Sequence, residues 1–419
     1  MTERSTGLRA IFPGEYCERQ EGMSNVLPLN QDMIDFSEKK LHAAWKEIYS
    51  NKPQRKRKYS RGIDGVTMEQ FEEEKGQRIK HLHRQLKDGS FVFDQLYHYQ
   101  EERPSKKSRD IQAPTVTDRI VQKIISDYLV SSDFREPFSQ AGVVGTKGNK
   151  VRDVMDQLLK AYDDGYVYAL KTDLIDYFPS INPKRLRRII GQYVKNKEAK
   201  KYIWKYLSVS TLPGIPQGPP LSPLMANLYL LGLDKKLASM KSVRHIRYVD
   251  DIVVLVRSEK EAKKIYSTLV SYLNRVGVKI HPFEDGSKTI IERFDSGKID
   301  ALGVIYRYGK LYIKPKKLSQ FREDFINPIR WIKVRDLRKG QNKEDKVANF
   351  IQYFNLKLHG WGTAYSFCNV KELYEKLDET IQKNFTIFLK YNRVKDWEIY
   401  LQLVARLSDI KLKPLIKHD

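Results

Sequence analysis

Residues 244–257 read RHIRYVDDIVVLVR. Two short runs of β-forming residues flank an Asp-Asp pair. Ile246, Tyr248 and Val249 precede it; Ile252, Val253, Val254 and Leu255 follow. The pattern predicts two apolar strands joined at Asp250-Asp251. Asp favours turns, so a plain hairpin tip is the ordinary explanation. The flanks argue for more. Two adjacent carboxylates at the tip of a buried hairpin are costly unless a cation neutralises them.

A second acidic group lies upstream. Residues 166–174, YVYALKTDL, predict a strand that ends near Asp173. A side chain at a strand end can reach over the sheet edge. A strand-end Asp beside the hairpin pair makes a hard oxygen site of the kind Mg²⁺ takes. Two such ions can activate a 3′-hydroxyl and stabilise a leaving pyrophosphate, which is phosphoryl transfer by positioning and charge neutralisation. Asp176 sits three residues further on and is read as structural.

The flanking pattern alternates helix and strand. Residues 35–49 have apolar positions at helical spacing, and Thr67 sits at capping-box distance from Gln70, opening a helix to about residue 86. Helices are expected at 117–131, 151–164, 183–194, 196–207 and 259–275, with an amphipathic one at 222–240. Residues 303–313 predict a hairpin around Tyr308-Gly309. From about 317 onward the pattern is helical and basic. The expectation is an α+β domain followed by an α-helical one.

Composition bounds the function. The chain has 419 residues, with 76 Lys and Arg against 52 Asp and Glu, a formal net charge of +24. Such an excess points to a polyanion, most often nucleic acid. A run of basic residues, Arg55, Lys56, Arg57 and Lys58, is a candidate phosphate contact. No stretch approaches the length of a membrane span. With only Cys17 and Cys368, neither a disulfide framework nor a cysteine-built zinc site is expected. The expected compartment is a reducing cytoplasm.

Tyr248-Val-Asp-Asp251 resembles the YxDD motif of reverse transcriptases. Asp173-Leu-Ile-Asp-Tyr-Phe178 is similar to their motif A, and Pro216-Gln-Gly-Pro-Pro-Leu-Ser-Pro223 to their motif B, PQGxxLSP. The three occur in the family's order. Further segments resemble the group II intron branch. Gly62-Ile-Asp-Gly65 is similar to its first block, and the stretch from Arg109 through Pro114 to Asp118-Arg119 to its second. Lys288 stands at the motif D lysine. Phe350-Ile-Gln-Tyr353 and the run from Gly360 to Tyr365 are similar to the thumb or maturase segment. The resemblance covers roughly residues 60–390.

The resemblance implies a right-hand polymerase. Residues 1–60 would be an N-terminal extension, 61–313 fingers and palm with an antiparallel palm sheet, and 314–419 an α-helical thumb or maturase-like domain. It gives Asp173, Asp250 and Asp251 as metal carboxylates for two Mg²⁺ ions, with Mn²⁺ as a substitute. Lys288 would protonate or neutralise the leaving pyrophosphate. Arg103 and Arg109 would bind the dNTP triphosphate, with Gln217 and Gly218 beneath the nascent pair. Phe178 would be the steric gate against a ribose 2′-hydroxyl. Trp361 and Tyr365 are nucleic-acid candidates, although packing in the thumb core is the better reading of Trp361.

One stretch departs from the family. Where intron-encoded relatives usually carry Gly-Phe-Arg-Pro-Gly-Arg, residues 141–150 read AGVVGTKGNK. Lys147 and Lys150 keep that loop basic. With this departure, the chain is similar to the "unknown group" reverse transcriptases of antiphage defence. The resemblance then implies a structured noncoding RNA as template and scaffold, dNTPs as substrates, a cDNA product and no membrane partner. It leaves oligomerisation on the RNA open. The alternatives are an intron-encoded reverse transcriptase and maturase, or a non-catalytic RNA-binding maturase.

Overall fold

The computed structural model describes residues 34–415 apart from 53, 104–105, 135–136, 139–150, 211, 338–339 and 414. Its residues group into two compact units. One takes in the described part of Arg19–Asn149 together with Tyr168–Ile291; the other takes in Lys150–Val167 and Glu292–Asp419 where described. The sequence reading draws its boundary at 313, whereas residues 292–313 and the helix Val151–Asp163 group with the C-terminal helices. Most of the N-terminal extension, residues 1–33, lies outside the described residues.

The first unit is built on two sheets. β1 (Tyr97–Arg103) and β2 (Lys106–Ala113) form an antiparallel hairpin, from Tyr97 opposite Ala113 to Arg103 opposite Lys106. The larger sheet runs β4-β5-β3-β6, from β3 (Tyr168–Ile175), β4 (Arg244–Tyr248), β5 (Asp251–Val256) and β6 (Lys279–Ile280); β7 (Ile290–Arg293) also pairs with β3. Its central strands are apolar because both faces are covered: five of the six residues of β5 are buried.

Helices enclose this sheet. Thr67 caps Met68–Glu73 with the expected box to Gln70, but the helix breaks at Glu74 and restarts as Lys75–Asp88. Residues 222–240 also form two helices, Ser222–Tyr229 and Leu231–Ala238, with the break at Leu230. The first is not amphipathic. Every residue in it except Pro223 is buried, because it runs through the core rather than over it. Tyr229 ties it down by donating to the Val276 carbonyl at 2.6 Å.

The second unit holds a three-stranded antiparallel sheet, β10-β9-β8, from β8 (Ser296–Ala301), β9 (Val304–Arg307) and β10 (Lys310–Ile313). The expected turn at Tyr308-Gly309 joins β9 to β10. Helices Lys343–Ala364 and Lys371–Tyr391 make the core of the remainder. Phe325 stacks on Phe354 there at 4.7 Å between ring centres. Among the described residues, no helix is long and apolar enough to cross a membrane.

Candidate active site

The antiparallel register of β3 and β5 sets Asp173 directly opposite Asp251. The tip of the hairpin falls one residue earlier than the Asp-Asp pair suggests: Val249 and Asp250 make the turn, and Asp251 already opens β5. Val249 takes the left-handed conformation at φ 56°. A β-branched residue held there stores about 1–3 kcal/mol of strain. The Asp250 carbonyl accepts from the Leu174 amide at 3.1 Å, which draws the tip against the end of β3. The backbone therefore carries three carboxylates from two distant segments to one sheet edge.

Their charges interact. Burial, and then the neighbouring Asp173 charge, hold the Asp250 carboxyl above the usual carboxylate range, with Arg109 and Lys288 opposing the shift. Lys288 pairs directly with Asp173 Oδ2. Lys171, two residues before Asp173 and so on the same face of β3, places Nζ 3.5 Å from Asp251 Oδ2. On the opposite face, the buried Thr172 and Thr289 hydroxyls meet at 2.7 Å, and Thr289 donates to the His281 carbonyl at 2.6 Å. Asp176 is exposed in a left-handed turn that leads into the helical turn Tyr177–Ser180.

The donor set suits a hard divalent cation: it is all carboxylate oxygen, and the Asp250 shift records like charge that a cation would relieve. Among the described residues, however, no group of three or more Asp, Glu, His or Cys side chains is arranged to hold an ion as it stands. Lysines lie against two of the three carboxylates. Asp173 and Asp250 fit a metal role best, since Asp251 has the more buried lysine as its partner.

The surrounding residues are held by backbone. Phe178 is half-buried against the core, and its carbonyl accepts from the Ile215 amide at 3.0 Å. Gly214 makes that approach possible. It has φ 80°, and a Cβ there would lie 2.1 Å from the Phe178 oxygen. The Gln217 carbonyl accepts from the Gln112 amide at 2.8 Å, and a Cβ on Gly218 would come within 2.9 Å of the Gln112 oxygen. The motif B loop is thus stitched to β2, which carries the exposed Arg109.

Other sequence-predicted residues lie elsewhere. Trp361 and Tyr365 are core residues of the second unit, not exposed stacking platforms. Trp361 lies flat on Phe321, with 3.9 Å between ring centres, and Tyr365 packs beside it. The helix Lys343–Ala364 needs large apolar side chains on its inner face, which places Trp361 inside, and Tyr365 at its C-terminal cap packs against the same core. Arg57 sits over the Tyr49 ring at 3.8 Å and donates to the Lys52 carbonyl at 2.9 Å; Lys58 lies over Tyr59 at 4.5 Å. Lys56 is half-buried nearby, and burial followed by the Arg119 and Lys56 charges lowers the Lys52 ammonium to about 8. Positive charge is therefore in excess along this segment. The side chains of Arg55 and Arg103, and all of Lys147 and Lys150, lie outside the described residues.

Two residues here had no signature in the sequence. Lys171 is one, legible only as a position two before Asp173. Arg247 is the other. It is fully buried beneath the hairpin tip, paired to Asp234.

Two segments of the chain match known protein families. Residues 100–305 match the family described as Reverse transcriptase (RNA-dependent DNA polymerase), and residues 332–400 match Group II intron, maturase-specific domain. Group II intron-encoded protein LtrA from Lactococcus lactis subsp. cremoris is 28% identical over 210 residues, covering 48% of this chain and 34% of LtrA. The chain thus spans about a third of that relative's length. Retron Ec86 reverse transcriptase from Escherichia coli is 24% identical over 230 residues, covering 54% of this chain and 67% of the relative. A solved telomerase from Candida albicans, in complex with a fragment of telomeric RNA, aligns with a TM-score of 0.43 at 11% identity, over 80% of this chain and 65% of that one. The chain thus carries a reverse transcriptase domain at residues 100–305, followed by a group II intron maturase-specific domain at residues 332–400.

Proposed function

We propose that the protein is an RNA-directed DNA polymerase that copies a structured noncoding RNA into cDNA, in the cytoplasm of a bacterium and in the service of antiphage defence. One observation carries the chemistry. Asp173 and Asp250 lie side by side at the edge of a buried sheet, close enough for one to perturb the other, inside the span that matches reverse transcriptases. A protein that only binds RNA has no use for such a pair.

The placement of these residues supports the following roles. Asp173 and Asp250 would hold two Mg²⁺ ions, or Mn²⁺ in their place, which when bound supply activation of the primer 3′-hydroxyl and neutralisation of the leaving pyrophosphate. Asp251, steadied by Lys171, supports the negative field of the site. Arg109, whose charge reaches Asp250, is placed to meet the triphosphate. Lys288 turns from Asp173 to the departing phosphates. Phe178 closes the sugar side of the pocket, and Gln217 and Gly218 form its floor. Residues 61–313 act as fingers and palm and 314–419 as thumb. The excess charge of +24 grips RNA and cDNA phosphates.

A second reading has its own observation. The match of residues 332–400 to the maturase-specific domain favours an intron-encoded reverse transcriptase and maturase. One experiment separates the two: purify the protein from its native host, then sequence the RNA and DNA that accompany it. A short structured RNA with its complementary DNA supports the first reading. An intron RNA surrounding the gene supports the second. Purified protein that extends no primer on any RNA template removes both polymerase readings.

A further inference from the structure

We infer that Arg247 is a positioning residue of the polymerase: by holding the Val249 carbonyl, it fixes the strained turn that sets Asp250 beside Asp173. The inference rests on the polymerase reading above and adds a residue to it.

Arg247 is fully buried, and all its donors are spent. A guanidinium has five N–H groups in a fixed fork. Here Nε donates to Asp234 Oδ1 at 2.8 Å, and Nη2 to Asp234 Oδ2 at 2.5 Å and to the Asn227 carbonyl at 2.9 Å. Nη1 donates to Asn227 Oδ1 at 3.1 Å and to the Val249 carbonyl at 2.9 Å. Four of these bonds bind Arg247 to buried residues, Asn227 and Asp234, of the helices Ser222–Tyr229 and Leu231–Ala238. The fifth reaches forward to the hairpin tip. One rigid group thus references the turn to the core of the unit.

That fifth bond falls where it is needed. Val249 is in the left-handed region, which a β-branched residue leaves unless something holds it. The next peptide is fixed from the other side, since the Asp250 carbonyl accepts from Leu174. Asp250 is therefore bracketed between Arg247 and Leu174. Charge balance alone does not explain the arrangement. A buried ion pair can usually be replaced by apolar residues at little cost to the fold. The turn takes one donor from a guanidinium that four other bonds hold in place.

The experiment separates positioning from plain structural support. The variants are Arg247→Met combined with Asp234→Leu, which removes both charges together, and Arg247→Lys, which keeps the charge but loses the fork. Each is measured for thermal unfolding, RNA binding, kcat and dNTP KM in primer extension, and backbone amide exchange at residues 249–251. The expected result for the double variant is near wild-type unfolding and RNA affinity, with kcat down about a hundredfold, as for a misplaced reacting group. KM should stay within about threefold, and exchange at the tip should quicken while the rest of the sheet is unchanged. If the double variant fails to fold, Arg247→Lys carries the test with the same expectations. A folded variant that keeps full kcat and a protected tip overturns the inference. Wild-type protein that extends no primer would instead sink the polymerase reading, and the exchange comparison would still judge Arg247.

Discussion

Lys288 sets its ammonium on Asp173, 115 residues upstream, so the carboxylate at the end of β3 already has a cation of the protein's own. A divalent ion at Asp173 must displace that lysine or share the carboxylate with it. Lys288→Ala should therefore strengthen Mn²⁺ binding several-fold, read from the spin-resonance signal of the free ion, while lowering kcat for nucleotide addition. Unchanged Mn²⁺ affinity would remove the competition.

The carboxylates themselves give the plainest test. Asp250→Ala with Asp251→Ala should abolish cDNA synthesis. RNA affinity should stay within about twofold, because phosphate contacts dominate it. A gel-based extension assay beside filter binding reads both. Synthesis that survives would refute the role of the hairpin tip.

Sugar discrimination should depend on a glycine that packs against the Phe178 backbone. In Gly214→Ala the new methyl would meet the Phe178 carbonyl and Pro179, so the Phe178 segment must move. Both Gly214→Ala and Phe178→Ala should narrow the ratio of kcat/KM for dNTP over NTP, by about tenfold or more. An unchanged ratio in both would remove Phe178 as the gate.

Asp118 predicts a pH dependence of stability. Burial, and then the Asp94 charge, raise its carboxyl to about 8. The folded chain therefore keeps a proton that the unfolded chain gives up near 3.8. Its contribution to stability is greatest below pH 3.8, declines as pH rises toward 8, and is flat above that. Asp118→Asn should raise Tm at pH 7 by several degrees and flatten the Tm profile between those limits. Differential scanning calorimetry across pH 4–8 reads the slope, and a parallel profile in the variant would contradict the assignment.

RNA affinity should fall steeply with salt, log Kd against log salt having a slope set by the number of phosphates neutralised. Lys56→Ala and Lys58→Ala should reduce that slope by about one each if both meet phosphate. A flat response in the wild type would contradict an electrostatic grip.

The sheet edge was legible because its strands are apolar runs with sharp ends, and Asp173 and Asp250-Asp251 stand at those ends. The hairpin β1–β2 was not. Its residues from 98 to 102 and from 108 to 110 are exposed, so no alternation of apolar and polar marks it. The helix breaks at Glu74 and Leu230 each fall two residues before a glycine, Gly76 and Gly232, and a single glycine inside a helical pattern does not by itself mark a break. Trp361 and Tyr365 show the limit of motif reading: the segment is similar to a thumb motif, but only packing decides whether a ring faces solvent or Phe321. Arg247 is harder still. In sequence it is one more cation in a basic chain, and its partners Asn227 and Asp234 lie 20 and 13 residues away on two helices.

The two threonines behind the carboxylates have a wider consequence. Thr172, in β3, and Thr289, just before β7, bond to each other on the buried side of the two segments that carry Asp173 and Lys288. Each threonine is the immediate chain neighbour of one member of that ion pair. The gauge of the site is thus set from its back. Trimming either hydroxyl would let the strands drift, and the span between acid and ammonium would widen with no change to any residue a nucleotide could touch.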